Sequence, residues 1–313
     1  MYRIKKLLLS SLLTREIFFF IFQKKVYKRC IDKKIIKLLD GKRCLSGKKI
    51  DNFIVSLTSF PDRIHEIKYT IYSLLTQSVL PEKIILWLAD SQFPNKESDL
   101  PDSLLAFKKN GLEIRWCEDI KSYKKLIPSL REFPDYYILT ADDDIYYPKR
   151  WLEKTWWEHK VYPKEVICHV ANKIQYNDDK NVLPYKEWKR CIKPSAPSVL
   201  NFPVGAGGIF YHKSLLFPDI AREDLFSSLA PYADDIWFYF MVVLQKTLIR
   251  IVRNPCNKMK YVNPNREYNL VNQYKLTTIN IDNDQNQVQI QNILDYYHVD
   301  LAFLISKVET GKK

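Results

Sequence analysis

The chain has 313 residues, 46 % hydrophobic and 14 % aromatic, enough for one large or two modest folded domains and too apolar for intrinsic disorder. Its formal charge of +13 is uneven: residues 1–50 hold 15 Lys/Arg against 3 Asp/Glu, whereas residues 51–313 hold 34 against 33. A nearly neutral body weighs against nucleic-acid binding, which needs a basic face on the fold itself. The six cysteines, Cys30, Cys44, Cys117, Cys168, Cys191 and Cys256, form no CxxC pair and no zinc-site spacing. They indicate a reducing cytoplasm, with Cys117 and Cys168 as small core residues in strand-like runs.

The first 50 residues carry two apolar runs, Leu7–Leu13 and Ile17–Phe22, split by Arg15 and Glu16. Neither reaches the ~20 residues of a spanning helix. Apolar stretches followed by the basic segment Gln23–Lys49 suit a helix lying on an anionic membrane surface. The expected location is therefore peripheral, on the cytoplasmic face of the membrane. The plain alternative is a basic helix packed on the body.

Strand and helix then alternate. Asn52–Thr58 reads as a strand, Ser59–Arg63 as a turn, and Ile64, Ile67, Ile71, Leu74 and Leu75 follow helical spacing to about Val79, with Pro81 as the stop. Lys83–Leu88 is a second strand, closed by Ala89 and Asp90, which makes a βαβ unit and a parallel sheet. A short helix over Leu104–Lys109, a strand over Leu112–Cys117 and a helix over Tyr123–Leu130 follow. Tyr136–Thr140 is the next strand, and it runs straight into Asp142, Asp143 and Asp144.

Three carboxylates at the end of a buried strand are costly, because they repel one another and burial disfavours their charged form. A divalent cation would remove that cost, and hard oxygen ligands suit Mg²⁺ or Mn²⁺. The carboxyl ends of strands in an open α/β sheet are also where ligands bind. Otherwise the aspartates are caps for a helix starting near Lys149.

Beyond Trp151 the pattern loosens. Val166–Val170 reads as a strand, and Asn172–Ser198 as a polar loop or excursion. Three of the seven glycines, Gly205, Gly207 and Gly208, crowd in front of a strand at Ile209–Tyr211. Glycines there permit positive φ and close approach of a ligand, or simply a tight turn. Asp234 and Asp235 precede an apolar helix over Ile236–Leu244, where the helix dipole is expected to lower carboxylate pKa values. They too read alternatively as caps. Asn254–Asn272 reads as loop, Leu276–Asn286 as turn-prone, and Gln287–Ile305 as one or two helices, either packed on the body or walling an acceptor site.

Taken in order, these features resemble the GT-A glycosyltransferases, closest to the family 2 type, over roughly Asn52–Arg253. The match rests on the strand and turn Val55–Arg63, Asp90 after the second strand, Asp142–Asp144 as a DxD element, the turn Gly205–Gly208, and Asp234–Asp235 before Ile236 and Trp237. The resemblance implies a Rossmann-like, mostly parallel sheet flanked by helices over residues 51–260, with a basic helical segment at 1–50 and a helical extension at 261–313. It implies nucleotide-sugar contacts at Thr58, Arg63, Asp90, Asp142 and Asp143, and Mn²⁺ or Mg²⁺ at Asp144 with Asp142. The donor-sugar or acceptor pocket falls at Gly205, Gly207 and Gly208. The base falls at Asp235, with Asp234 as the other choice, although the family usually has Glu then Asp there. The family's usual basic element after the base is absent.

The implied reaction is metal-dependent, inverting transfer of a sugar from a nucleotide-diphosphate donor such as a UDP-sugar to a glycan or lipid-linked hydroxyl. Synthesis of surface polysaccharide or lipo-oligosaccharide is the expected setting. A nucleotidyltransferase is the rival enzyme, weakened because Ser59–Arg63 contains no glycine. A catalytically inactive membrane-associated relative is the non-enzyme rival.

Overall fold

The computed structural model describes residues 28–42, 45, 47–179, 181–256, 259–263 and 284–310. The apolar runs Leu7–Leu13 and Ile17–Phe22, and most of the stretch Leu276–Asn286, lie outside them. The chain divides into two units, Met1–Leu45 and Ser46–Lys313. In the first, helix α1 (28–39) carries Ile31, Ile35 and Leu38 at one-face spacing, with Lys33, Lys34 and Lys37 between them. No helix among the described residues is long and apolar enough to cross a membrane.

The second unit is built on β1 (Lys48–Thr58), whose Phe53–Leu57 are fully buried. An unbroken buried run is what a parallel strand covered on both faces requires. It pairs in parallel with β2 (Val79–Ala89) and β4 (Tyr137–Ala141), and β3 (Leu112–Cys117) extends the sheet beyond β2. Thr58 lies opposite Trp87, and Leu57 opposite Ala141. Three strands therefore end along one edge, and the chain leaves them at Ser59, Asp90 and Asp142.

The two-residue β5 (Ile145–Tyr146) follows, then β6 (Val166–Cys168) and a small β7–β8 pair (Ala171–Lys173, Asn201–Pro203). Next come β9 (Ile209–Tyr211), β10 (Ile249–Ile251) and β11 (Lys260–Tyr261). The seven-stranded sheet runs β10-β6-β9-β4-β1-β2-β3. All its pairings are parallel except those of β9, which is antiparallel to both neighbours. This is the mixed α/β architecture expected from the sequence.

Helices α2 (Lys68–Leu75), α3 (Asp102–Leu105), α4 (Ile127–Glu132), α5 (Trp151–Val161) and α6 (Glu223–Leu229) connect the strands. Helix α7 (Asp234–Leu244) is apolar all round and buried from Ile236 to Val243, and it packs against α8 (Gln285–Tyr296) and α9 (Leu301–Thr310). Two helices thus fill the stretch for which one or two were expected, and they pack on the body.

Several boundaries differ from the sequence reading. The helix after β1 is confined to Lys68–Leu75, because Pro61–Arg63 forms a separate 3-10 turn. Pro81 does not end that helix but sits inside β2. It pairs there with Ile50 of β1 alone, because β3 joins β2 only from Ile84 onward, so this end of β2 is a sheet edge, where proline is tolerated. The stretch expected to be a helix from Tyr123 is a 3-10 turn, Lys121–Lys125, followed by α4. The loop after Asn254 contains β11, which pairs with β5.

Candidate active site

The backbone of the acidic turn is tied at each residue. Asp142 N–H donates to the Tyr147 hydroxyl (2.8 Å), Thr70 donates to the Asp143 carbonyl (2.8 Å), and Val262 N–H donates to the Asp144 carbonyl (2.7 Å). The capping interpretation does not hold. Helix α5 begins at Trp151 with Arg150 as its N-cap and no side-chain cap hydrogen bond.

The three side chains separate by partner. Asp143 is locked: it accepts from Ser59 Oγ at 2.6 Å and from Arg63 Nη1 at 2.7 Å. Asp144 lies 3.2 Å from the same guanidinium nitrogen. Asp142 turns the other way and meets Lys125 Nζ at 3.3 Å. The repulsion foreseen from the sequence is thus relieved by two side-chain cations. Burial works to lower the Arg63 pKa, but Asp143 and Asp144 outweigh it and hold the guanidinium above its ordinary value.

Lys125 is the residue that sequence reasoning missed. Its side chain is 8 % exposed, and its ammonium also lies 2.8 Å from Asp234 Oδ2 and 3.8 Å from Asp235 Oδ1. One buried cation therefore joins the acidic turn after β4 to the acidic pair opening α7. Burial alone would lower its pKa, but Asp142, Asp234 and Asp235 raise it well above the ordinary value. Nothing in the motif KSYKKL distinguishes Lys125 from Lys121 or Lys124; only the surplus of acid hinted that a cation was needed.

Asp235 does not cap α7 either. Its Oδ2 accepts the backbone N–H of Gly205 at 2.9 Å. The expected lowering of its pKa by the helix dipole is reversed. Burial pushes it up to about 7; Lys125 opposes the rise and the charges of Asp234 and Asp142 add to it. Gly205 is needed for this approach, since a β-carbon there would sit 2.6 Å from Asp235 Oδ1 and 2.9 Å from Lys125 Nζ. Gly207 packs against Val170, and its carbonyl accepts from Trp151 Nε1 at 2.8 Å. Gly208 has φ +83° and faces the Trp151 ring.

Of the other expected contacts, Thr58 donates its hydroxyl to the Trp87 carbonyl at 2.8 Å, and Asp90 pairs with Lys96 at the end of β2. Both lie on the strand-end edge, bonded to Trp87 and Lys96 rather than to the acidic cluster.

Among the described residues no three His, Cys, Asp or Glu side chains are arranged to hold a metal ion. Any ion here would have to share its shell with a ligand. Asp142 and Asp144 hold their cations at longer range than Asp143 does, and one or two carboxylates completed by phosphate and water is the ordinary Mg²⁺ arrangement. Five carboxylates, Asp142–Asp144, Asp234 and Asp235, face Arg63 and Lys125. Negative charge remains in excess even with Asp235 protonated.

No protein family model matches the sequence, and no curated protein does. Among solved structures the chain is similar to CMP:2-keto-3-deoxy-manno-octonic acid synthetase complexed with CTP, at 11 % identity over 66 % of this chain and 89 % of that one, with a TM-score of 0.38. It is similar to S. aureus TarS 1–349 at 14 % identity over 78 % and 72 %, TM-score 0.43. It is also similar to the inositol-1-phosphate CTP transferase from T. maritima at 12 % identity over 75 % and 97 %, TM-score 0.41. Likeness at this level leaves the chemistry to the site's own residues.

Proposed function

We propose that this protein is a glycosyltransferase that moves a sugar from a nucleotide-diphosphate donor to an acceptor hydroxyl. The observation that carries the reading is the meeting of Asp142 with Asp234 and Asp235 around Lys125 at the carboxyl ends of the strands. Acidic groups from two distant parts of the chain then serve one cleft, one set toward the donor and the other toward the attacking alcohol.

In this mechanism Asp235 is the base. It lies farther from the ammonium than Asp234 does, and a pKa near 7 suits a group that must accept a proton at neutral pH. Asp234, 2.8 Å from Lys125, stays as its counter-ion. Arg63 and Asp143 brace the donor side. Asp144 and Asp142 would hold Mg²⁺ or Mn²⁺, which supplies charge neutralisation on a leaving diphosphate. With the base opposite the leaving group, displacement is in line and inverts the anomeric carbon. A UDP-sugar donor, a glycan or lipid-linked acceptor, and a site on the cytoplasmic membrane face complete the proposal.

The test is a screen of nucleotide sugars, with and without Mn²⁺, by thermal stabilisation and by product analysis. Stabilisation by a nucleoside-diphosphate sugar and release of nucleoside diphosphate support the reading. Release of pyrophosphate from a nucleoside triphosphate would replace it with nucleotidyl transfer. Asp235→Asn should lower kcat by ~10²–10⁴ with the donor still bound; near-normal turnover would remove Asp235 as base.

A further inference from the structure

Resting on that reading, we propose that Lys125 is the positioning residue of the reaction: its ammonium fixes Asp235 against the donor-side carboxylate Asp142, so that base and donor site work as one unit. Three observations carry this beyond an ordinary buried ion pair.

The first is the shared geometry, in which one nitrogen lies within 4 Å of carboxylates from two separate elements. The second is the turn that bears it. Lys121–Lys125 grips the chain leading into α7 at consecutive residues. The Tyr123 hydroxyl donates to the Ala230 carbonyl at 2.6 Å, Lys121 Nζ donates to the Pro231 carbonyl at 3.2 Å, and Lys121 lies 4.6 Å over the Tyr232 ring. The Tyr123 ring stacks on Phe226 with centroids 4.2 Å apart. Lys125 is thus held by the same turn that sets the position of Asp234 and Asp235. The third is Gly205, whose N–H holds the other oxygen of Asp235 and whose missing side chain leaves room for both Asp235 and the ammonium. Asp235 is held by a backbone donor on one oxygen, and its other oxygen faces the ammonium at 3.8 Å.

A positioning role predicts coupling. With Lys125 gone, Asp235 is no longer aimed, and its own removal costs little more. The experiment is a double-mutant cycle on the full chain with Lys125→Gln, Asp235→Asn and the pair, measuring kcat, donor KM and nucleoside-diphosphate affinity. Lys125→Gln should lower kcat by ~10²-fold or more with nucleotide affinity changed less than about tenfold, and Asp235→Asn should then cost at least about tenfold less than in the native background. Lys125→Arg, which keeps the charge, should recover part of kcat and guards against a folding defect in the Gln variant. Equal costs of Asp235→Asn in both backgrounds, or native kcat in Lys125→Gln, would overturn the proposal. Wild-type turnover in the same assay separates this from the underlying reading: without it the reading falls, and with it only the role of Lys125 is at stake.

Discussion

The backbone N–H of Gly205 donates to Asp235 Oδ2 at 2.9 Å, so a glycine in one turn orients an acidic side chain thirty residues later. The contact leaves no space for a side chain at 205. Gly205→Ala would bring a methyl to 2.6 Å from Asp235 Oδ1 and 2.9 Å from Lys125 Nζ. The expected result is a loss of activity of at least ~10²-fold, since small displacements of a positioned base are that damaging. Steady-state kinetics with whichever donor the nucleotide-sugar screen yields checks it. Gly208→Ala acts on folding instead. Positive φ alone costs about 1–3 kcal/mol, and the methyl runs into the Trp151 ring, so the thermal midpoint should fall further than for Gly205→Ala.

The protonation of Asp235 gives opposite signs for activity and stability. Burial holds its pKa near 7, against 3.8 for an ordinary aspartate. The proposed base must be a carboxylate, so kcat/KM should rise as pH rises through about 7. Between these two pKa values the folded chain binds a proton that the unfolded chain releases. The stability this group contributes is full below about 4 and lost as pH rises through 7. Thermal midpoints of wild type and Asp235→Asn, compared from pH 4.5 to 8, should diverge as pH rises, with the variant the more stable.

Arg63 is the cation that meets Asp143 and Asp144. Arg63→Met would leave Asp143, whose side chain is 5 % exposed, paired only with Ser59. Stranding a buried charge is strongly destabilising, tempered here because the guanidinium is 28 % exposed; a loss on the order of 2–3 kcal/mol is expected. That corresponds to a fall in thermal midpoint of ~3–5 °C. Arg63→Met paired with Asp143→Asn should restore part of it.

The metal is testable on binding as well as on rate. Chelation should weaken stabilisation by a nucleoside diphosphate, and Mn²⁺ or Mg²⁺ should restore it in the wild type. Asp144→Asn should lose the metal-dependent part of that stabilisation while keeping its fold, because Asp143 still pairs with Arg63. Metal-independent stabilisation of the wild type would remove the ion from the mechanism.

Much of the fold and the acidic clusters could be read from the chain. The buried run Phe53–Leu57, the strands Leu112–Cys117 and Ile209–Tyr211, and the aspartates closing one strand and opening one helix all show in local pattern. Such features are unbroken apolar runs, helical spacings or adjacent acids, so neighbours in sequence report them. Only the tertiary structure decided that β9 runs antiparallel between β4 and β6, that Val262, just past β11, returns to hold the Asp144 carbonyl, and that Lys125 stands between two acidic groups. It also reversed the expected shift of Asp235, because the helix dipole is a local effect while burial and neighbouring charges come from residues far apart in the chain. Local periodicity fixes which elements form; the order in which strands pair fixes which side chains share a cleft and which of them keep their protons.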